Sequence, residues 1–224
     1  MSPTLYRSII GSLLYLIASK SDVVFSIGVC ARYQAAPKES HLTAVKQIIR
    51  YINGTPDYGL WYSKDSNACL ASYSEANWAG SVDDRKSILG GCFYLGNNLV
   101  SWMSKKQNFV SLSTAEAEYI AARSCCTQLL WMKKLLHDYG IPQDIICIFC
   151  DNTSAINLSK NPIQHSKSKH IEIHYHFIQD LVEEKVVCLE FIHTNNQKAN
   201  IFTKPLDGPR FESLRKTIGV GTIP

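Results

Sequence analysis

Three carboxylates stand where they could act together. Glu75 closes the alternating run Ala68-Cys69-Leu70-Ala71-Ser72-Tyr73-Ser74-Glu75, and Asp151 follows Ile145–Cys150, a run apolar on both faces. The first pattern is that of a half-buried strand, the second that of a central one. Glu118 heads a stripe at helical spacing: Glu118, Ala122, Cys125, Leu129, Met132, Leu136. Every other member is apolar or small, so the stripe should be buried. A carboxylate on a buried face is costly unless it is paired, protonated or holding a metal. Taken alone, Glu118 reads more simply as a capping or ion-paired residue than as a ligand. The other two acids change its context, because open α/β sheets place their sites at the carboxyl ends of strands. If the two strands are neighbours, all three acids meet at one sheet edge. Hard oxygen ligands converging in this way suit Mg²⁺ or Mn²⁺. A pair of such ions can activate water and stabilise the leaving oxygen in phosphodiester cleavage.

The elements that must position these acids follow from local pattern. Ser113–His137 lacks Pro and Gly and is rich in Ala and Leu, so it reads as one long helix that Ser113 or Thr114 can cap. Glu116 falls on its opposite face with Arg123, Thr127 and Lys134, and reads as solvated. Ser87–Leu95 and Leu99–Met103 read as strands joined at Gly96-Asn97-Asn98, a hairpin signal. A short helix starts at Asn152-Thr153-Ser154, an amphipathic helix runs over His170–Glu184, and Val186–Ile192 is a strand. Gln197–Leu206 and Pro209–Ile218 are expected as helices. The class is therefore α/β, a mixed sheet with helices packed on it. Before it, Tyr6–Ser19, Asp22–Tyr33 and Lys38–Asn53 carry apolar residues at helix spacing, with no acidic pair, Gly-rich loop or metal spacing. Extended structure begins at Leu60-Trp61-Tyr62.

The totals fit this picture. A chain of 224 residues, 46% hydrophobic and 19% charged, has an ordinary globular composition. Its net charge of +4 permits nucleic acid binding without demanding it. No signal peptide is visible, and Ile9–Ala18 is too short to span a bilayer. The eight cysteines are scattered, which suits reduced thiols in a cytoplasmic or nuclear protein. Cys147 and Cys150 are three apart in a strand, so they point to opposite faces and are rejected as a chelate.

Several motifs together carry a resemblance. They are Ser74-Glu75-Ala76-Asn77-Trp78-Ala79-Gly80, Asp84-Arg85-Lys86-Ser87, Val100-Ser101-Trp102 with Ser104-Lys105-Lys106-Gln107, and Ser113-Thr114-Ala115-Glu116-Ala117-Glu118-Tyr119. Cys150-Asp151-Asn152-Thr153-Ser154-Ala155, Lys169-His170-Ile171-Glu172-Ile173 and Ile201-Phe202-Thr203-Lys204-Pro205-Leu206 complete the set. The chain resembles the carboxyl-terminal part of the Pol polyprotein of copia-type LTR retrotransposons. The resemblance implies a ribonuclease H-like fold, with a mixed five-stranded sheet and flanking helices. It also implies an activity, hydrolysis of the RNA strand of an RNA–DNA hybrid by two divalent ions, Mg²⁺ or Mn²⁺, held by four acids. Residues 1–62 resemble the end of the reverse transcriptase. Residues 63–206 would be the ribonuclease H-like domain, and residues 207–224 a carboxyl-terminal helix and tail. The polymerase's own catalytic motif is absent, which excludes DNA synthesis. The reverse transcriptase body is an implied partner, and no membrane is.

The departures bear on activity. The family has Ser-Asp-Ala-Asp-Trp-Ala-Gly where this chain has Glu75 and Asn77, and Ala-Asp-Ile where it has Ala199-Asn200-Ile201. Of the four metal-binding positions, Glu118 and Asp151 match, Glu75 is one methylene longer, and Asn200 has lost its charge. The resemblance thus implies a ribonuclease H that is weakened or inactive. The alternative is a non-catalytic transposon relic that folds and still binds nucleic acid. Arg85, Lys86, Lys105, Lys106 and Lys169 could contact phosphates or form a solvated face. His170 belongs to the Lys-His-Ile motif, and a structural or hybrid-contacting role suits it better than zinc binding with His174.

Overall fold

A computed structural model of the chain describes residues 2–64, 66–160 and 177–222. Contacts divide the chain into two units, one of Met1–Tyr62 with Pro205–Pro224, the other of Ser63–Lys204.

The first unit contains helices α1 (Pro3–Leu16), α2 (Val24–Ala31) and α3 (Glu39–Gly54), followed by a short strand β1 (Tyr58–Leu60). Tyr6, Ile10 and Leu13 line one face of α1 and pack with Ile27, Val45 and Ile48 from the other two helices. The Tyr6 hydroxyl donates to the Cys30 carbonyl at 2.9 Å, so its burial leaves no orphan. The carboxyl-terminal residues belong to this unit. Asp207 caps the helix Gly208–Thr217 by accepting from Arg210 N at 3.0 Å. Gly219, at φ +89°, then turns the chain into a final strand, Val220–Thr222, which pairs antiparallel with β1. Arg215 lies over the Tyr58 ring and donates to the Tyr51 hydroxyl at 3.2 Å, and Tyr51 in turn donates to Asp22. That final strand was not expected from the sequence. Among the described residues no helix is long and apolar enough to cross a membrane.

The second unit is built on a five-stranded sheet. Strands β2 (Leu70–Asn77), β3 (Ile88–Leu95) and β4 (Asn98–Lys106) form an antiparallel meander. Strand β5 (Ile146–Cys150) lies parallel to β2, and β6 (Val187–Phe191) parallel to β5, in the order β4-β3-β2-β5-β6. Helices α4 (Thr114–Asp138) and α5 (Thr153–Lys160) pack on it. This mixed sheet with flanking helices is the ribonuclease H-like α/β architecture that the resemblance implied. The α4 stripe Ala122, Cys125 and Leu129 is fully buried against Leu70, Phe93, Ile146 and Ile148 of the sheet.

Two local expectations are corrected. Glu116 is buried rather than solvated: Ser113 caps α4 by accepting from Glu116 N at 3.1 Å, and the Glu116 carboxylate turns back to accept from Leu112 N at 2.6 Å. Gln197–Leu206 is not an α-helix. It holds a short 3₁₀ segment, Lys198–Phe202, closed by three-residue bonds such as Thr203 N to Asn200 O at 3.2 Å, before Pro205. Of the expected helix His170–Glu184, residues 177–183 are helical, and His170 to His176 lie outside the described residues.

Candidate metal centre

Parallel register brings Glu75 and Asp151 together. Tyr73 of β2 stands beside Phe149 of β5, and each acid lies two residues further along the chain, Glu75 within β2 and Asp151 just past the end of β5. With a side-chain period of two, both carboxylates leave the sheet edge at the same level. Glu118 comes in from the second turn of α4. Its Oε1 accepts from Ala76 N at 2.9 Å, and its Oε2 faces the Cys150 thiol at 3.9 Å. One carboxylate oxygen from each of Glu75, Glu118 and Asp151 lies within 4.8 Å of the others. Glu75 and Glu118 are 4% and 5% exposed, so the cluster is largely withdrawn from water.

Burial, and next the Asp151 charge, push the Glu75 carboxyl up to about 7, against the pull of Lys204. Burial followed by the charge of Glu75 holds Glu118 well above the usual carboxylate range. Lys204 Nζ donates to Glu75 Oε1 at 2.8 Å. Glu75 and Asp151 can share a hydrogen bond only while one of them carries a proton. With both ionised, Glu75 Oε2 is buried without a donor. On the far side, Thr194 donates to Asp151 Oδ2 at 2.7 Å, and Asn200 Nδ2 donates to the Thr194 carbonyl at 3.2 Å. Asn200 Oδ1 is buried with no partner. Three converging carboxyls, one of them with an orphaned buried oxygen, form a hard donor set that fits a divalent cation.

Lys204, Thr194 and Gln197 were not singled out beforehand. Lys204 stood in a quoted motif without a role. Gln197 is fully buried, and its amide donates to Ser74 O at 2.9 Å and Phe149 O at 3.4 Å, bridging β2 and β5 as they separate. Its Oε1 accepts from Ala199 N at 3.2 Å and so starts the 3₁₀ turn that carries Asn200. Nothing in local pattern marks Thr194 or Gln197, since both act through partners far away in the chain. Of the basic candidates, Lys106 and Lys86 sit at the Asp84 carboxylate, at 2.7 and 3.9 Å. The Lys106 hydrogen bond, then that of Ser81, holds Asp84 well below the usual range. Arg85 and Lys105 are exposed, while Lys169 and His170 lie outside the described residues.

The shifted carboxyls have a consequence for stability. The folded chain keeps the Glu75 proton up to about 7, against 4.5 for a free glutamate. Between those values the unfolded state binds fewer protons, so stability falls as pH rises. In divalent-free buffer we expect a loss on the order of 3 kcal/mol across this window from Glu75 alone. Thermal melts at stepped pH check it. A flat or rising stability over that window would contradict the electrostatics, and added Mg²⁺ should restore the loss above it.

No protein-family model matches the chain. Over 99% of its length it is 39% identical to the retrovirus-related Pol polyprotein from transposon RE2 of Arabidopsis thaliana. Over 98% it is 37% identical to that from transposon TNT 1-94 of Nicotiana tabacum. It spans 15% and 17% of the length of these two relatives. Among solved structures, LC11-RNase H1 in complex with an RNA/DNA hybrid aligns with a TM-score of 0.45 at 12% identity, over 60% of this chain and 93% of that one.

Proposed function

The chain belongs to the copia-type retrotransposon Pol polyproteins, as one segment of them, and from that premise we propose that its acidic cluster is the site of a ribonuclease H with weakened turnover on RNA–DNA hybrids. The observation that carries this is the convergence of Glu75, Glu118 and Asp151, with ligand oxygens within 4.8 Å of one another in a ribonuclease H-like sheet. Two Mg²⁺ or Mn²⁺ ions, when bound, would supply an activated water and neutralise the leaving oxygen. Glu118, anchored by Ala76 N, and Asp151, anchored by Thr194, hold their carboxylates in fixed directions. Lys204 neutralises Glu75 and aims it.

Two features support weakened turnover. Glu75 carries one methylene more than the family's Asp, which shifts its oxygens by about 1.5 Å on an unmoved backbone. Displacement of about 1 Å in a catalytic array costs on the order of a hundredfold in rate. Asn200 offers a neutral amide oxygen where the family has a fourth carboxylate. We further propose the sequence division 1–62, 63–206 and 207–224, the first and last parts sharing one unit and the first fitting a reverse transcriptase body. Arg85, Lys86, Lys105, Lys106, Lys169 and His170 are proposed contacts to the hybrid, and the setting is cytoplasmic or nuclear.

A second reading is a relic that binds hybrid without cutting it. It is favoured by the Lys204 ammonium already seated on Glu75 and by the uncharged Asn200. Titrating the full chain with Mg²⁺ and Mn²⁺ under thermal-shift readout, then offering a labelled hybrid beside RNA and DNA duplexes, separates the two. Slow, divalent-dependent cutting of the hybrid's RNA strand supports the enzyme. Binding without cleavage at any divalent concentration supports the relic. Failure of both divalent stabilisation and hybrid binding sinks both.

A further inference from the structure

A second set of ligands lies across β5 and β6. In β5 the residues Ile146, Ile148 and Cys150 are buried, whereas Cys147 and Phe149 alternate to the less covered face. Cys147 stands in register with Cys188 of β6, so two thiols sit side by side on neighbouring parallel strands. Glu190 follows Cys188 by two residues and shares its face. The exposed Glu190 side chain folds back over the pair. Its Oε1 lies 3.6 Å from Cys147 Sγ and 3.8 Å from Cys188 Sγ. The three donor atoms are all within 4.8 Å of one another.

We propose that Cys147, Cys188 and Glu190 form a binding site for a Zn²⁺-class cation, with two thiolates, one carboxylate and a fourth position open to water. Zinc binds thiolate at about 2.3 Å and carboxylate at about 2.0 Å in a tetrahedron, which sets the sulfur-to-oxygen edges at about 3.5 Å. The two observed edges are within a few tenths of an ångström of that value, and the sulfur-to-sulfur edge lies within 4.8 Å. Among the described residues no Lys or Arg forms an ion pair with Glu190. In the ion-free chain both thiols donate to that one oxygen, which has two lone pairs to accept them, and the same convergence becomes a ligand set once the thiols lose their protons to a metal. The donor set also separates this site from the acidic cluster, because thiolates select soft and borderline ions whereas all-oxygen sites take Mg²⁺ or Mn²⁺. The Cys147–Cys150 spacing rejected from sequence remains rejected, since the partner of Cys147 is on the neighbouring strand.

Co²⁺ is the probe. Titrated into the full chain under a non-chelating reductant, it should raise a thiolate-dependent signal that saturates at one equivalent, whatever the acidic cluster also binds. It should give the visible bands of tetrahedral cobalt with a thiolate charge-transfer band in the ultraviolet, and Zn²⁺ should bleach both. Cys147→Ser and Cys188→Ser should each weaken binding at least tenfold, and the double variant should remove the charge-transfer band. Glu190→Gln should weaken binding and keep that band, and Cys69→Ser should change nothing. On the unaltered chain, Zn²⁺ should protect Cys147 and Cys188 from alkylation, mapped by mass, while leaving Cys69 reactive. This second measurement holds even if a variant misfolds. Absence of a thiolate band at stoichiometric Co²⁺, its survival in the double variant, or equal alkylation with and without Zn²⁺ each overturns the site.

Discussion

Changing Glu75 and Asn200 to Asp together should raise Mg²⁺-dependent cleavage of a labelled RNA–DNA hybrid on the order of a hundredfold over the native chain. The scale comes from relieving a misplacement of about 1 Å or more in the array. The shorter side chain draws the oxygens back by about 1.5 Å and loosens their bond to Lys204. At position 200 the gain is charge. Asn200 Nδ2 now donates to the Thr194 carbonyl, and Oδ1 is buried without a partner. An aspartate there turns an oxygen toward that carbonyl and needs a cation. The double variant should therefore melt below the native chain without divalents and gain more from Mg²⁺ than the native chain does. Adding Glu118→Gln should remove the cleavage again. Brisk Mg²⁺-dependent cleavage by the native chain would falsify the weakened-site reading.

Gly90→Val should lower the melting temperature by roughly 3–10 °C, from an overpacking penalty of about 1–3 kcal/mol. Gly90 pairs with Glu75 across β2 and β3. A Cβ built on it would stand 2.6 Å from Thr203 Cγ2, 2.9 Å from Phe202 Cβ and 3.1 Å from the Ala199 carbonyl oxygen. Those atoms belong to the 3₁₀ turn and its end, so the turn must lift off the strand. Asn200 and Lys204 would move with it, and stabilisation by Mg²⁺ should weaken in step. Gly11→Ala is the control: nothing lies within 4 Å of its Cβ in α1, and helix propensity favours alanine. An unchanged melt for Gly90→Val would show that the close approach of strand and turn does not hold the site.

The sequence shows one half of the acidic cluster and hides the other. Glu118 is visible because its helix repeats every few residues, so a single charged member stands out on an apolar stripe. The placement of Asp151 just past a strand end is visible for the same local reason, whereas Glu75, expected to close its strand, lies two residues inside β2, which runs on to Asn77. Their convergence is not, because the Tyr73–Phe149 register joins residues far apart along the chain. Glu116 misleads because an acid in the first helical turn looks identical whether it faces water or folds back on the cap. The 197–206 stretch misleads in the opposite direction. Its composition suits a helix, but the buried Gln197 amide is committed to β2 and β5, and the backbone tightens to fit. The Cys147–Cys188–Glu190 triangle is invisible for the reason that hides all parallel pairs.

The pairing of β1 with the last strand bears on how the chain is made. Tyr51 and Arg215 of that first unit are 164 residues apart. Loop-closure entropy grows with the logarithm of length, so joining such ends costs about 3 kcal/mol more than closing a tight hairpin. Ser63–Lys204, by contrast, is continuous. During vectorial synthesis every residue of the five-stranded sheet emerges before Val220, so the β1 pairing and the Arg215 contacts to Tyr51 and Tyr58 come last. A compact insert shortens the free loop and lowers that entropy cost. The sheet unit is thus placed to fold first, and the two-stranded pairing of the other unit forms after it.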